Sequence, residues 1–81
     1  IMKEITAAAV IDLMKKVGVE EKVIKKLKND VPLLKQGIDS IDLPAILAAA
    51  EKQYDLDLSD CTADKVKTID EFVSFINARI K

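Results

Sequence analysis

A short loop gives way to an amphipathic helix in the stretch Gly37-Ile38-Asp39-Ser40-Ile41-Asp42-Leu43. Apolar residues then recur at offsets of 0, 3, 4, 7 and 11, the spacing of one helix face, at Leu43, Ile46, Leu47, Ala50 and Tyr54. Ser40 therefore lies at or beside a helix N-terminus, where free backbone N–H groups and the helix dipole favour an anion. A phosphate ester on its hydroxyl would be stabilised there. The alternative is that Asp39 or Ser40 only caps the helix, a common use of both residue types.

Two further helices are predicted, one on either side of this central helix. The first covers residues 3–17 and ends at Gly18, a residue type that commonly stops helices. The last follows Thr68, which forms a capping-box pattern with Glu71 three residues later. Its apolar face repeats the offsets of the central helix, at Ile69, Phe72, Val73, Ile76 and Ile80. No segment alternates in the manner of a β-strand.

The joints between these helices differ in length. Residues 18–39 form a long first joint, and residues 55–68 leave room for a short helical turn near residues 62–66. Four apolar residues of the first joint have the spacing of a helical turn: Val19, Val23, Ile24 and Leu27. Three more are expected to pack that loop onto the domain: Val31, Leu33 and Leu34. The sequence thus predicts an all-α, four-helix bundle with a long first loop and a short third helix.

The composition excludes several functions. The 81 residues suffice for a single domain, residues 1–81, and we interpret Ile1 ahead of Met2 as a remnant of expression. The one cysteine, Cys61, cannot form a disulfide within the chain, and a lone thiol suits the reducing cytoplasm. There is no histidine, which removes the commonest general base and argues against an enzyme.

The charges argue against nucleic-acid binding and against a membrane span. The formal net charge is −1, whereas a nucleic-acid binder carries a strong basic excess. The longest uncharged run, from Leu43 to Ala50, is far shorter than a membrane span. Asp55, Asp57 and Asp60 match the first half of a calcium loop, but the glycine and glutamate that such a loop requires further on are missing. No metal site is therefore predicted.

The residues from Val31 to Tyr54 resemble the acyl carrier protein family. In that family, a Gly-x-Asp-Ser-(Leu or Ile) motif starts the second helix, and its serine carries 4′-phosphopantetheine. The resemblance continues through residues 68–77 and covers residues 27–80 in all. It implies a bundle of the acyl-carrier type, with phosphopantetheine on Ser40 and Asp39 as the flanking motif residue.

The resemblance also implies a function. The chain would carry acyl intermediates as thioesters in fatty-acid or polyketide-type biosynthesis, as a cytoplasmic monomer and not as an enzyme. Its partners would be a phosphopantetheinyl transferase, which supplies the group from coenzyme A, and acyl-loading and acyl-processing enzymes. Two alternatives remain open. One is a peptidyl or aminoacyl carrier with the same arm, and the other is a small helical interaction module without a prosthetic group.

Docking and cargo residues follow from the same resemblance. Carriers of this family present their second helix to enzymes, which implies a docking surface of Asp39, Ile41, Asp42, Leu43 and Glu51. Positions that are often acidic in the family are neutral here, as at Ala45 and Gln53, which favours a specialised rather than a housekeeping carrier. A cavity for the acyl chain would be lined by Ile46, Leu47, Tyr54, Ile69 and Phe72.

Pro44 departs from the family pattern. If Ser40 were the N-cap, Pro44 would be the fourth helical residue, where its missing N–H forfeits the first intrahelical bond and its ring crowds the Ser40 carbonyl. Either the first turn is distorted or the regular helix begins later than Ile41. Such a change would reshape the surface near Ser40, or the turn simply tolerates proline.

Overall fold

Four α-helices and two 3₁₀ turns follow one another in a computed structural model of the protein, which describes residues 4–80. The helices are α1 (Ala7–Lys16), α2 (Glu21–Ile24), α3 (Asp42–Tyr54) and α4 (Ile69–Arg79), and the 3₁₀ turns are Leu33–Gln36 and Ala63–Lys65. Residues 4–80 contain no β-strand, so the all-α prediction is confirmed. The interpretation of Ile1 concerns a residue outside the described range.

The first helix ends as its sequence predicts. After Lys16, Gly18 takes the left-handed conformation with φ 92°. The Gly18 N–H donates to the Lys15 carbonyl at 3.2 Å and the Val19 N–H to the Met14 carbonyl at 3.0 Å, the pair of bonds that defines a Schellman motif. The start differs, because α1 begins at Ala7 and not at residue 3.

The core lies between α1, α3 and α4, and it is entirely apolar within the described residues. The predicted faces supply much of it: Val10, Leu13, Met14, Leu43, Ile46, Leu47, Ala50, Ile69, Phe72 and Ile76 are buried. Tyr54 is only half-buried at the end of α3. The capping box before α4 is confirmed on one side, because the Thr68 hydroxyl accepts from the Glu71 N–H at 3.0 Å.

The long first loop is held together by hydrogen bonds of the Gln36 side chain and is joined to the segment before α4 by a backbone bond. Gln36 accepts from the Lys28 N–H at 2.7 Å and donates to the carbonyls of Lys28 at 3.0 Å and Val31 at 2.9 Å. The N–H of buried Leu33 donates to the Lys67 carbonyl at 2.8 Å. These bonds give the irregular backbone the partners that it needs next to the core.

One loop expectation is wrong. Leu33 is buried, but Leu34 is 55% exposed and does not pack the loop onto the domain. The reason is the 3₁₀ turn Leu33–Gln36, in which positions three apart share a side. Leu33 is thus buried and Gln36, three positions later, is half-buried, while Leu34 between them faces solvent.

The short third helix is present as a single 3₁₀ turn. It covers Ala63–Lys65, within the predicted residues 62–66, and is followed by buried Val66. A turn of three residues is too short to form successive α-helical bonds. The additional α-helix is α2 in the first loop, where Val23 and Ile24 are half-buried against the core. Within residues 4–80, no helix combines the length and the hydrophobicity needed to cross a bilayer.

Candidate functional site at the start of α3

Ser40 stands on an exposed corner between the first loop and α3. Gly37 lies three residues before Ser40 and has a φ of 95°. Residues that carry a side chain rarely adopt this backbone conformation. Ile38 is then buried, and its N–H donates to the Leu33 carbonyl at 3.3 Å. Asp39 and Ser40 follow as exposed residues. Ile38 therefore anchors the backbone, while the serine hydroxyl faces solvent.

The start of α3 is held by Asp42 and not by Ser40. No side-chain hydrogen bond caps α3, and the Asp42 N–H donates to the Asp39 carbonyl at 2.9 Å. In return, the Asp42 carboxylate accepts from the Asp39 N–H at 3.1 Å. The suggestion that Asp39 or Ser40 merely caps this helix therefore lacks the side-chain bond that it requires.

Pro44 fits the helix because α3 begins at Asp42. It is the third helical residue, and the N–H group at that position has no partner inside a helix. Its missing donor therefore forfeits no intrahelical bond, and the carbonyl of Ser40 lies outside the helix. Of the two sequence-based alternatives, the later helix start is the one observed. Pro44 is exposed on the outer side of α3.

The three acidic residues predicted for docking differ in their surroundings. Asp39 is exposed. Asp42 is half-buried and bound to the Asp39 N–H, as described above. Glu51 is half-buried as well, and its carboxylate accepts from the Leu58 N–H at 2.8 Å, which braces the loop after α3. Two of the three carboxylates are thus engaged within the chain.

The two apolar residues predicted for docking, Ile41 and Leu43, differ in their exposure. Ile41 is 76% exposed, and Leu34 at 55% is the other large exposed hydrophobic among residues 4–80. Leu43 is 2% exposed and belongs to the core. The helical turn from Ile41 to Leu43 carries the side chain from the outer side of α3 to the inner one. Leu43 therefore offers a partner little surface, and its role in docking stays a prediction.

An apolar cavity of about 310 Å³ opens beside the start of α3. It is lined by Pro32, Leu34, Lys35, Leu43, Ala63, Asp64 and Lys67. None of the residues predicted for an acyl cavity lines it, since Ile46, Leu47, Ile69 and Phe72 are packed in the core and Tyr54 lies at the far end of α3. No local pattern points to these lining residues, because they come from four segments that only the fold brings together.

Two of the acidic residues after α3, Asp57 and Asp60, have hydrogen-bond partners within the chain. Arg79 donates to both oxygens of Asp60, at 2.9 and 2.7 Å, and this lowers the pKa of Asp60. Hydrogen bonds from Ser59 lower the pKa of Asp57. The guanidinium of Arg79 also lies 4.6 Å from the centre of the Phe75 ring. Within the described range, no group of three or more acidic or cysteine side chains is arranged to hold a metal ion.

The only thiol of the chain is partly sheltered. Cys61 is half-buried, and this burial raises the pKa of its thiol. A raised pKa keeps the sulfur protonated and weakly nucleophilic at neutral pH. Cys61 therefore has the properties of a structural residue.

Comparisons with known proteins show which family the sequence matches. The sequence profile of the family described as the phosphopantetheine attachment site matches residues 8–76, from α1 through most of α4. Two proteins named acyl carrier protein, from the Tuc7 and APS strains of Buchnera aphidicola subsp. Acyrthosiphon pisum, are each 32% identical to this chain over 69 residues. The aligned part is 82% of this chain and 86% of each relative. No solved structure gave a significant match.

Proposed function

Because the chain belongs to the acyl carrier protein family, whose members bear covalent 4′-phosphopantetheine, we propose that Ser40 is the attachment residue. The protein then carries acyl groups in fatty-acid or polyketide-type biosynthesis. The observation that carries the proposal is an exposed serine hydroxyl, next to Asp39 at the start of α3, that takes no part in capping the helix.

The residues around Ser40 suit the prosthetic group. An exposed hydroxyl is accessible to a modifying enzyme, and the positive end of the α3 dipole favours the phosphodiester that would form on it. The cavity beside α3 offers Pro32, Leu34 and Ala63 as apolar partners for an arm or its cargo. When bound, the group supplies a thiol that holds acyl groups as thioesters.

The modification needs chemistry that this chain does not supply. The Ser40 oxygen bonds to the phosphorus that links pantetheine to the nucleotide of coenzyme A, and the adenosine bisphosphate leaves with the electron pair. The proton of Ser40 must pass to a base. The sequence contains no histidine, and the described residues provide no cap or other bond to this hydroxyl. We assign the base and the Mg²⁺ to the transferase.

Family members are carriers and not catalysts, and this chain acts in the same way, as a monomer in the cytoplasm. Its partners are a phosphopantetheinyl transferase and the enzymes that load and process the acyl group. The neutral residues along α3 support a specialised pathway, because carriers that share general enzymes rely on acidic docking residues.

The test is the intact mass of the protein after incubation with coenzyme A, Mg²⁺ and a broad-specificity phosphopantetheinyl transferase. We expect a gain of one phosphopantetheine unit, absent in Ser40→Ala and retained in Ser74→Ala, which removes an exposed hydroxyl from α4. A gain in mass in Ser40→Ala would show that the group is attached to another residue. No gain in the parent, with a reference carrier loaded in parallel, would favour an interaction module without the group.

A further inference from the structure

A basic surface lies on α2, away from the helix that Ser40 precedes. Lys22, Lys25 and Lys26 are all exposed, and their spacing of three and four positions places them on one side of a helical turn. The helical conformation continues through Lys25 beyond the end of α2, because the Lys25 N–H donates to the Glu21 carbonyl at 2.9 Å. We call Lys22, Lys25 and Lys26 the lysine stripe.

The other side of the same turn is fixed on the bundle. Val23, Ile24 and Leu27 are half-buried and pack against the core. A Cβ atom at Gly37 would lie 3.5 Å from Val23 Cγ2, so α2 is seated against the loop that leads to Ser40. The lysine stripe is therefore presented to solvent by a backbone that its apolar residues hold in place.

The chain itself neutralises little of this charge. Lys22 lies 3.6 Å from the Glu20 carboxylate, but both side chains are largely exposed, and such a pair contributes little. Lys25 and Lys26 have no acidic partner within residues 4–80. Residues 15–28 hold six lysines against two glutamates, a net charge of +4, whereas the rest of the chain has a net charge of −5. The positive charge of the protein is thus concentrated around the lysine stripe.

We propose that the lysine stripe binds an acidic segment of a partner protein, with carboxylates spaced along one helical turn of that segment. Side chains three and four positions apart on a helix lie on one side, so such carboxylates match the spacing of the three lysines. Opposite charges arranged in this way speed association and fix its register. The inference does not depend on the modification of Ser40 and adds a second binding surface to the proposed function.

The size and composition of the stripe favour a protein segment over a bilayer or a nucleic acid. From Lys22 to Lys26 the turn rises only about 6 Å, so a more extended anionic surface would also meet the negative remainder of the chain. The apolar residues of the turn pack against the core and are not free to enter a bilayer. Residues 15–28 contain no arginine and no aromatic residue, the types that bind phosphates bidentately and stack on bases.

The experiment measures, by fluorescence anisotropy at low salt, the binding of a labelled helical peptide with glutamates three and four positions apart. The unmodified parent is compared with Lys25→Gln/Lys26→Gln and with Lys65→Gln/Lys67→Gln, a control that removes the same charge from two exposed lysines before α4. We expect the first variant to bind about fivefold more weakly than the parent, and the control to stay within about twofold. Raising the salt to about 300 mM should weaken parent binding about tenfold. A peptide with glutamine in place of glutamate should not bind, and circular dichroism verifies that each variant is folded.

Two results would overturn the inference. The first is an equal loss of affinity in the two double variants, because the peptide would then respond to the net charge and not to the lysine stripe. The second is a parent that does not bind the peptide. In that case, binding to phosphatidylserine vesicles would assign the stripe to a lipid surface, and self-association that is lost in Lys25→Gln/Lys26→Gln would assign it to a second copy of the chain. Since no step of the assay loads Ser40, its failure is distinct from a failure of the proposed function.

Discussion

Ser40 and Thr68 both precede a helix, but only Thr68 has its hydroxyl bonded to that helix. The Thr68 oxygen accepts from the Glu71 N–H, while the start of α3 has no side-chain cap. At the scale of single residues, the two hydroxyls therefore differ in their bonding. Thr68 stabilises α4, and Ser40 remains available for reaction. Both residue types are common before helices, so the residue alone does not reveal which use applies.

This difference predicts unequal costs for the same kind of substitution. Ser40→Ala should change the free energy of unfolding by less than about 0.5 kcal/mol, whereas Thr68→Ala should lower it by about 1 kcal/mol because it removes a cap. Urea denaturation of the two variants beside the parent measures both values. An equal loss in the two variants would mean that Ser40 caps α3 after all.

At the scale of elements, α3 combines a buried face with an unusual outer face. Its inner residues, among them Leu43 and Ile46, are fully packed. On its outer side, Pro44 in the first turn and Ala48 one turn later are exposed and apolar. The proline lies where a helix leaves N–H groups unbonded, so it does not disturb the packing of the inner face. The element thus has apolar atoms on its outer side and remains a regular helix.

The position of Pro44 can be tested by comparison with a proline placed one turn later in α3. Pro44→Ala should change the free energy of unfolding by no more than about 0.5 kcal/mol, because no intrahelical bond is gained. Ala48→Pro, in the middle of α3, should lower it by about 3 kcal/mol or more. Thermal and urea denaturation measure the change in the free energy of unfolding for both variants. A gain of several kcal/mol in Pro44→Ala would show that the helix begins earlier than Asp42.

At the scale of the whole molecule, a few long-range bonds hold the loops on a bundle that measures 34 by 21 by 21 Å. The Asn77 side chain accepts from the Ile5 N–H at 2.7 Å and donates to its carbonyl at 3.1 Å. Arg79 pairs with Asp60 across 19 residues of sequence. These bonds join the chain before α1, the loop after α3 and the C-terminal end of α4.

The Asp60–Arg79 pair predicts a pH dependence of stability. Because the pKa of Asp60 is lowered in the folded state by Arg79, the unfolded chain binds more protons at acidic pH. The contribution of the Asp60–Arg79 pair to the free energy of unfolding is present above the ordinary aspartate pKa of about 4. It is lost as the pH falls below that value. The free energy of unfolding should therefore fall less steeply below about pH 4 in Asp60→Asn and in Arg79→Gln than in the parent. Identical slopes in all three proteins would contradict the pairing.

Much of the candidate site could be predicted from residues that are close in sequence. The apolar periodicity of α3 and α4, the cap at Thr68 and the stop at Gly18 each depend on neighbours within a few positions, and all are observed. The position of Ser40 before α3 belongs with them. Helical spacing and backbone capping are local properties, which is why the residue pattern determines them.

Other features depend on contacts that no local pattern encodes. The exposure of Leu34, the burial of Leu43 and the engagement of Glu51 by the Leu58 N–H follow from how the loops pack on the helices. The same is true of the cavity beside α3, whose lining comes from separate segments. Residue order is sufficient to place Ser40 before an amphipathic helix. Only the packed tertiary structure decides which side chains around it face a partner, because that choice depends on the free energy of the whole core.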